Sequence, residues 1–388
     1  MTTTPRHWLR LAAALGAFAL LASLAGCGSE FPLPTENRNR SIPPDGSYQR
    51  LATWTSLPGV VDLALVPRGQ LDQLYFVFNY GGAGTTPRGE VWEYLLVRPE
   101  RISQRPFNGL FNPIGIASGN NRLWVLDLGD SCLARQNPVT GQCNDTTGGW
   151  RNAISHLELY WWVRGYLLIA GDPVVTFTDT SLATVTGIAS DELNNVYVAG
   201  SRIRFIPDQE DPRLRVKLLE YGVFKYSPGL RPDGKTDLTV LPAGTWHRDT
   251  TFQVTQGTGS GSAIDPRGIF WGNASGAHRI YVSDFGNNQI KKTFDQGVSP
   301  GEIAFDANDS GTALEGPVDV TADPLGYIYS VDSGSKRILR FDAFGTYQQI
   351  VNTEGDALVR PVAVAADDSL CYVADPGGAR VIRYKRRQ

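Results

Sequence analysis

The sequence predicts an all-β fold, a six-bladed β-propeller, on three observations. A short phrase recurs six times, at residues 76–79, 124–127, 197–200, 281–284, 329–332 and 372–375; it runs aromatic, then mostly apolar or small, then Asp or a substitute. A second apolar phrase stands upstream of each, at residues 61–64, 114–117, 186–189, 267–270, 318–321 and 362–365. After the first 45 residues no long amphipathic helical period interrupts them. A unit of about 40–50 residues holding four strands is the mark of a propeller blade; one blade cannot bury both faces, so blades stack around a ring.

Composition agrees with a folded chain. Of 388 residues, 41% are hydrophobic, 10% aromatic and 19% charged, and 42 Gly with 24 Pro point to many turns rather than to low complexity. The formal net charge is −3, and residues 1–26 contribute Arg6 and Arg10 without any acid, so the remainder is more acidic still. A mildly acidic body lacks the concentrated basic face that a nucleic-acid partner requires. The basic end Lys385-Arg386-Arg387 reads as a solvated terminus.

Residues 1–26 form a signal segment. Arg6, His7 and Arg10 precede an apolar run from Leu11 to Leu24, which is too short for a stable membrane anchor and ends Leu24-Ala25-Gly26-Cys27. Leu-Ala-Gly-Cys resembles the lipobox of bacterial lipoproteins. The resemblance implies cleavage before Cys27, a diacylglycerol thioether on its sulfur, and a further acyl chain such as palmitate on the new amino group. Several acyl chains anchor stably where one does not. With Gly28 rather than Asp after the Cys, it favours the outer membrane in an organism with two. Residues 27–45 then read as the lipidated Cys and a polar, Pro-containing tether, reaching at most about 60 Å at ~3.3 Å per residue. Residues 46–388 are the propeller.

Cys132 and Cys143 flank a polar Pro/Gly-containing stretch. In an exported chain that arrangement reads as a disulfide closing a loop, contributing roughly 2–3 kcal/mol. A metal site is the weaker alternative, because no second Cys pair or nearby His completes it. Cys371, in Leu370-Cys-Tyr-Val-Ala374, reads as a buried strand thiol.

The phrases resemble NHL repeats, most closely at residues 317–341 and 279–290, and the resemblance spans about 46–388. Asn79 and Gly200 stand where the family has Asp. The resemblance implies a structural role for that Asp, whose carboxylate is expected to accept turn N–H groups at the end of the second strand. The sixth unit stops at its third strand, near Lys385. Gly46-Ser-Tyr-Gln-Arg-Leu51 echoes Gly345-Thr-Tyr-Gln-Gln-Ile350, which predicts that an N-terminal strand completes the last blade and covers its edge.

Two gaps exceed a bare blade: residues 128–153 and 201–262, the second with a Gly/Ser/Thr-rich run at 256–261. Long loops on a rigid scaffold are where binding usually resides. The innermost strands should line the channel with Asp62, Gly115, Gly187, Gly268, Asp319 and Ala363. Small residues suit a crowded axis, so Asp62 and Asp319 become candidate ligands for a metal or other channel ligand, calcium being the first cation to consider. The gluconolactonase-like and paraoxonase-like groups are similar in blade count and hold calcium there; the peptide amidating lyases bind zinc through His. Here His156 sits in an apparent strand, His247 in an irregular loop, and His278 before a strand. Trp161-Trp162 reads either as packing between blades or as part of a ligand-facing patch. No Gly-x-Ser-x-Gly elbow or phosphate loop occurs. The function expected is therefore a membrane-anchored envelope lipoprotein whose propeller binds a protein or extracellular ligand without catalysis. The alternative is a calcium- or zinc-dependent hydrolase or lyase at the channel.

Overall fold

The computed structural model describes residues 46–387, apart from 67–72, 81–88, 96–101, 104–109, 111, 120–121, 128–161, 168–172, 178–181, 208–214, 229–245, 260, 275–276, 295–302, 306–312 and 353–355. Cys27, Cys132, Cys143 and His156 lie outside the described residues, as do the signal segment and tether.

The chain begins with β1 (Tyr48–Thr55) and then lays down one sheet after another. The first holds β2 (Val60–Val66), β3 (Gln73–Asn79), β4 (Gly89–Leu95) and β5 (Ile102–Ser103). The second holds β6 (Pro113–Gly119), β7 (Arg122–Asp127), β8 (Trp162–Leu167) and β9 (Pro173–Phe177). The third is longer: β10 (Leu182–Ser190), β11 (Val196–Pro207), β12 (Arg215–Pro228), β13 (Trp246–Gln256) and the two-residue β14 (Ser262–Ala263). The fourth contains β15 (Pro266–Ala274), β16 (Ala277–Asp284), β17 (Gln289–Phe294) and β18 (Ile303–Phe305). The fifth is β19 (Pro317–Ala322), β20 (Ile328–Asp332), β21 (Arg337–Phe341) and β22 (Tyr347–Ile350). The sixth is β23 (Ala363–Ala366), β24 (Leu370–Asp375) and β25 (Arg380–Arg386), with β1 antiparallel on β25 from Tyr48↔Arg386 to Thr55↔Arg380.

Each upstream phrase lies on the first strand of its sheet, and each aromatic phrase on the second. The first strands pack in sequence, β2 on β6, β6 on β10, β10 on β15, β15 on β19, β19 on β23, and β23 on β2. This is a β-propeller. Its core is a set of apolar layers between neighbouring sheets rather than one centre. Leu63, Phe76 and Tyr94 of the first sheet meet Ala365, Tyr372 and Val381 of the sixth, and Trp124 and Leu126 of the second meet Ile188 and Val198 of the third. A strand covered on both faces needs apolar residues on both, so β20 is buried at all five positions and shows no alternation.

Tyr48 ties β1 to the fifth sheet as well as the sixth. It is 1% exposed, and its hydroxyl lies 2.7 Å from that of Tyr329. Tyr329 in turn donates to Asp323 at 2.9 Å, and Gln349 donates to the Gly46 carbonyl at 2.8 Å.

The third sheet departs from expectation. The phrase at 197–200 does not end its strand, because β11 runs on to Pro207 in continuous register with β12 as far as Arg215. Part of the 201–262 gap is therefore a long hairpin rather than loop. The reason lies at Gly200, which pairs with Gly222. A Cβ at 200 would stand 2.1 Å from the Thr184 carbonyl oxygen, and one at 222 would stand 2.3 Å from that of Val254. Flanking backbones crowd this rung, so the position that carries Asp in four other sheets is Gly here. His247 is likewise in β13 rather than in a loop, and His278 is inside β16 rather than before it.

Candidate functional site

Asp62 and Asp319 sit on the first strands of the first and fifth sheets, β2 and β19, which are separated on the ring by β23. The structure brings their carboxyls close enough to repel one another. Both residues keep part of their surface open, yet protein surrounds the carboxyls as densely as in the core. Burial pushes the Asp62 carboxyl up to about 7 against the pull of two amide donors. Burial first, and the Asp62 charge second, hold Asp319 well above the usual carboxylate range.

Each carboxylate links neighbouring sheets. Asp62 Oδ1 accepts from its own strand at Leu63 N, 2.7 Å, and Oδ2 from Ile116 N of β6 at 2.7 Å. Asp319 Oδ2 accepts from Val364 N of β23 at 2.8 Å. The glycines between them set how tightly the first strands approach. A Cβ at Gly187 would lie 2.4 Å from the Arg267 carbonyl oxygen, and one at Gly268 would lie 2.5 Å from Asp319 Oδ1.

The four buried phrase carboxylates are also structural, in a way the sequence did not specify. Their backbone donors come mainly from the segment entering the first strand of the same sheet, not from the turn that follows. Asp127 accepts from Asn112 N at 2.7 Å, Asp284 from Ile264 N at 2.8 Å, Asp332 from Glu315 N at 2.8 Å, and Asp375 from Arg360 N at 2.8 Å. The following turn supplies side-chain donors, such as Asn287 to Asp284 at 2.6 Å and Arg380 to Asp375 at 2.9 Å. In the first sheet Asn79 takes this place by pairing with the Asn112 side chain.

The Gly/Ser-rich run is held by Lys291, which is 1% exposed and donates to the carbonyls of Thr258 and Gly259 at 3.0 Å each, with Asp284 at 3.6 Å. Cys371 is a buried free thiol, and burial raises its pKa. His278 has its ring 5.1 Å from that of Trp271. Among the described residues, no group of three or more His, Cys, Asp or Glu is arranged to hold a metal ion.

A second feature had no sequence signal. The pairing of β12 with β13 shifts between Val223↔Val254 and Lys225↔Asp249, leaving residues 250–253 opposite Phe224 alone. The bulge opens a cleft of about 310 Å³ lined by Arg202, Glu220, Tyr221, Val223, Phe224, Arg248, Phe252, Val254 and Thr255. Arg202 is neutralised inside it by Glu220 at 2.5 Å.

No protein-family description matches the chain, and no curated protein sequence matches it. Similar solved structures include a gluconolactonase from Xanthomonas campestris, with 13% identity over 87% of this chain and 91% of that one, at a TM-score of 0.45. Another is a catalytically inactive variant of virginiamycin B lyase from Staphylococcus aureus with quinupristin, with 10% identity over 88% of this chain and 99% of that one, also at 0.45. At that similarity neither carries an argument about activity; the propeller rests on the strand topology.

Proposed function

We propose that this protein is a membrane-anchored lipoprotein of the cell envelope whose propeller binds a protein or extracellular ligand without catalysis. In this reading the six sheets are six NHL-like blades of one ring. β1 completes the last blade, and the lipid on Cys27 tethers the ring through residues 28–45. The observation that supports a binding role over a catalytic channel is the use made of Asp62. Both of its oxygens accept backbone N–H groups, one of them from the next sheet. A carboxylate committed to joining sheets is a poor starting point for a calcium shell, which takes six to eight oxygens.

One observation favours a second reading. Asp62 and Asp319 form a buried pair of like-charged groups, and a cation between them would relieve the repulsion. That would place a metal-dependent hydrolase or lyase at the channel. Metal content of the purified mature protein by mass spectrometry, with melting before and after chelator, separates the two. The binding reading expects no stoichiometric calcium or zinc and no change in melting. Stoichiometric metal that is lost in Asp62→Asn would replace it with the enzyme reading.

A further inference from the structure

We propose that one face of the propeller is a membrane-contact surface. It seats three apolar turn tips, Leu193, Leu325 and Phe344, among the headgroups of an anionic bilayer, with Lys385, Arg386 and Arg387 set against lipid phosphates. The proposal rests on the reading above that a lipid tethers the chain, and it says which face the tethered propeller turns to the membrane.

The three tips share a turn and a face. Each is the third residue of a similar sequence: Asp191-Glu-Leu-Asn194, Asp323-Pro-Leu-Gly326 and Asp342-Ala-Phe-Gly345. The fourth residue takes a positive φ, 62° at Asn194, 90° at Gly326 and 85° at Gly345. The Asp carboxylate fixes the turn: Asp191 Oδ1 accepts from Leu193 N, Asp342 Oδ1 from Phe344 N and Asp323 Oδ1 from Tyr327 N, each at 2.9 Å. The first two turns join the first and second strands of the third and fifth sheets, and the last joins β21 to β22. In an up-and-down sheet such turns lie at the same end, and rotation about the channel carries that end of every sheet to one face. The chain enters on this face as well. Arg386 N donates to the Ser369 carbonyl, in the β23–β24 turn, at 2.8 Å, and Arg387 N to the Ser47 carbonyl at 2.7 Å.

Exposure singles these tips out. Phe344 at 79%, Leu193 at 59% and Leu325 at 52% are the three most exposed large apolar side chains among the described residues. A turn tip needs no apolar group to fold, whereas moving one from water into a bilayer interface recovers its transfer free energy. The turns are already held, so insertion orders little; Lys292 braces the Phe344 turn further by donating to the Ala343 carbonyl at 2.9 Å. Charge adds to this at the chain entry. Lys385 is exposed, Arg386 and Arg387 are half-buried, and the Arg386 guanidinium lies 5.8 Å from the centre of the Tyr327 ring, two residues beyond Leu325. Asp191, Asp323, Asp342 and Asp367 spend oxygens on the amides of their own turns, while Glu192 and Asp368 are exposed. Basic residues beside a membrane anchor attract anionic headgroups.

The test holds residues 28–388 on vesicles through an N-terminal hexahistidine tag and a nickel-chelating lipid, which stand in for the lipid on Cys27. Phe344→Cys is labelled with an environment-sensitive thiol dye; Cys371 is buried, and the unsubstituted chain treated alike is the blank. On vesicles of mixed phosphatidylglycerol and phosphatidylcholine the dye should shift to the blue and be quenched by lipid-borne nitroxide. Val359→Cys should show neither change: Val359 is 51% exposed, and its amide bonds to Asp375 at the opposite end of the sixth sheet. Leu193→Ser combined with Leu325→Ser should cut the quenching at position 344 about twofold or more, and so should phosphatidylcholine alone. No quenching at 344, or equal quenching at 344 and 359, overturns the proposal. So does quenching unchanged by the serine substitutions or by removal of the anionic lipid. Lipidation itself is read separately, from the mass of the N-terminal peptide of the native protein, so either idea can fail without the other.

Discussion

Asp62→Asn, measured as stability against pH, tests whether the first-strand carboxylates of β2 and β19 act as described. Burial holds the Asp62 carboxyl near 7, whereas the unfolded chain has it at its ordinary 3.8. Below the lower value both states are protonated and Asp62 adds no pH dependence. As pH rises, the unfolded state ionises first, so the native state loses stability until its own carboxyl ionises near 7. At 1.36 kcal/mol per unit of displacement, the full effect is about 4 kcal/mol, of which about 2 kcal/mol develops between pH 5 and 7. Asp284 and Asp323 are also raised by burial and slope the same way. Asp249, whose burial is outweighed by bonds from Thr251, is lowered and slopes the opposite way. Those groups are common to both proteins, whereas Asp319 is held up partly by the Asp62 charge, so the difference between wild type and variant reports the Asp62–Asp319 pair. Asn also turns an N–H toward one of the two amide donors, at a pH-independent cost of about 1–3 kcal/mol. Urea unfolding at several values from pH 4.5 to 8 should show wild-type stability falling with pH, and the variant less stable at the acid end but with a shallower fall, so that the two curves converge and cross as the carboxyl ionises. Parallel curves for the two proteins, or a wild-type curve that rises across this range, would refute the placement of a buried, proton-holding pair on β2 and β19.

Further outcomes are expected. Deleting residues 46–52 strips the partner from β25 and removes Tyr48, and Tyr48→Ala alone should cost about 3–5 kcal/mol as a buried aromatic truncation; unchanged thermal melting would sink the assignment of β1. Gly187→Ala should destabilise by about 1–3 kcal/mol, because its Cβ meets an immovable carbonyl. Gly259→Ala, whose Cβ finds nothing nearer than 4.0 Å, is the matched control and should be near neutral by denaturant melting. Native protein should give no thiol titre for Cys371 until unfolded, and non-reducing peptide mapping should recover Cys132 joined to Cys143; a free pair there would remove the loop disulfide. Cys27→Ser should abolish both processing and membrane association.

The fold was legible because a blade is written locally. An apolar run such as Ile328–Asp332 becomes a strand wherever it is sandwiched, and the spacing of such runs sets the repeat. The pairing of β1 with β25 was legible for a different reason: Gly46-Ser-Tyr-Gln echoes the outer strand of the preceding unit. Asp62 and Asp319 were singled out by their place in the phrase, and only folding put them near each other, 257 positions apart in the chain. The third sheet was misread. Gly200 looked like a substituted strand end, and nothing local showed that Gly222 would face it or that β11 would continue to Pro207. The cleft had no signal at all, since it arises from a register shift between two strands whose side chains look ordinary one by one.

Local sequence was enough for the repeat and the strands within it, because each depends on residues close along the chain. Three features came only with folding: the Asp62 and Asp319 carboxyls share dense surroundings, the Asp375-type carboxylates bind the segment entering their own sheet, and the Arg248 guanidinium stands over the Phe224 ring. The cause is the same in each case. A carboxyl's proton affinity and a guanidinium's ring contact depend on what surrounds the group in space, and for a ring of sheets those surroundings come from distant parts of the chain.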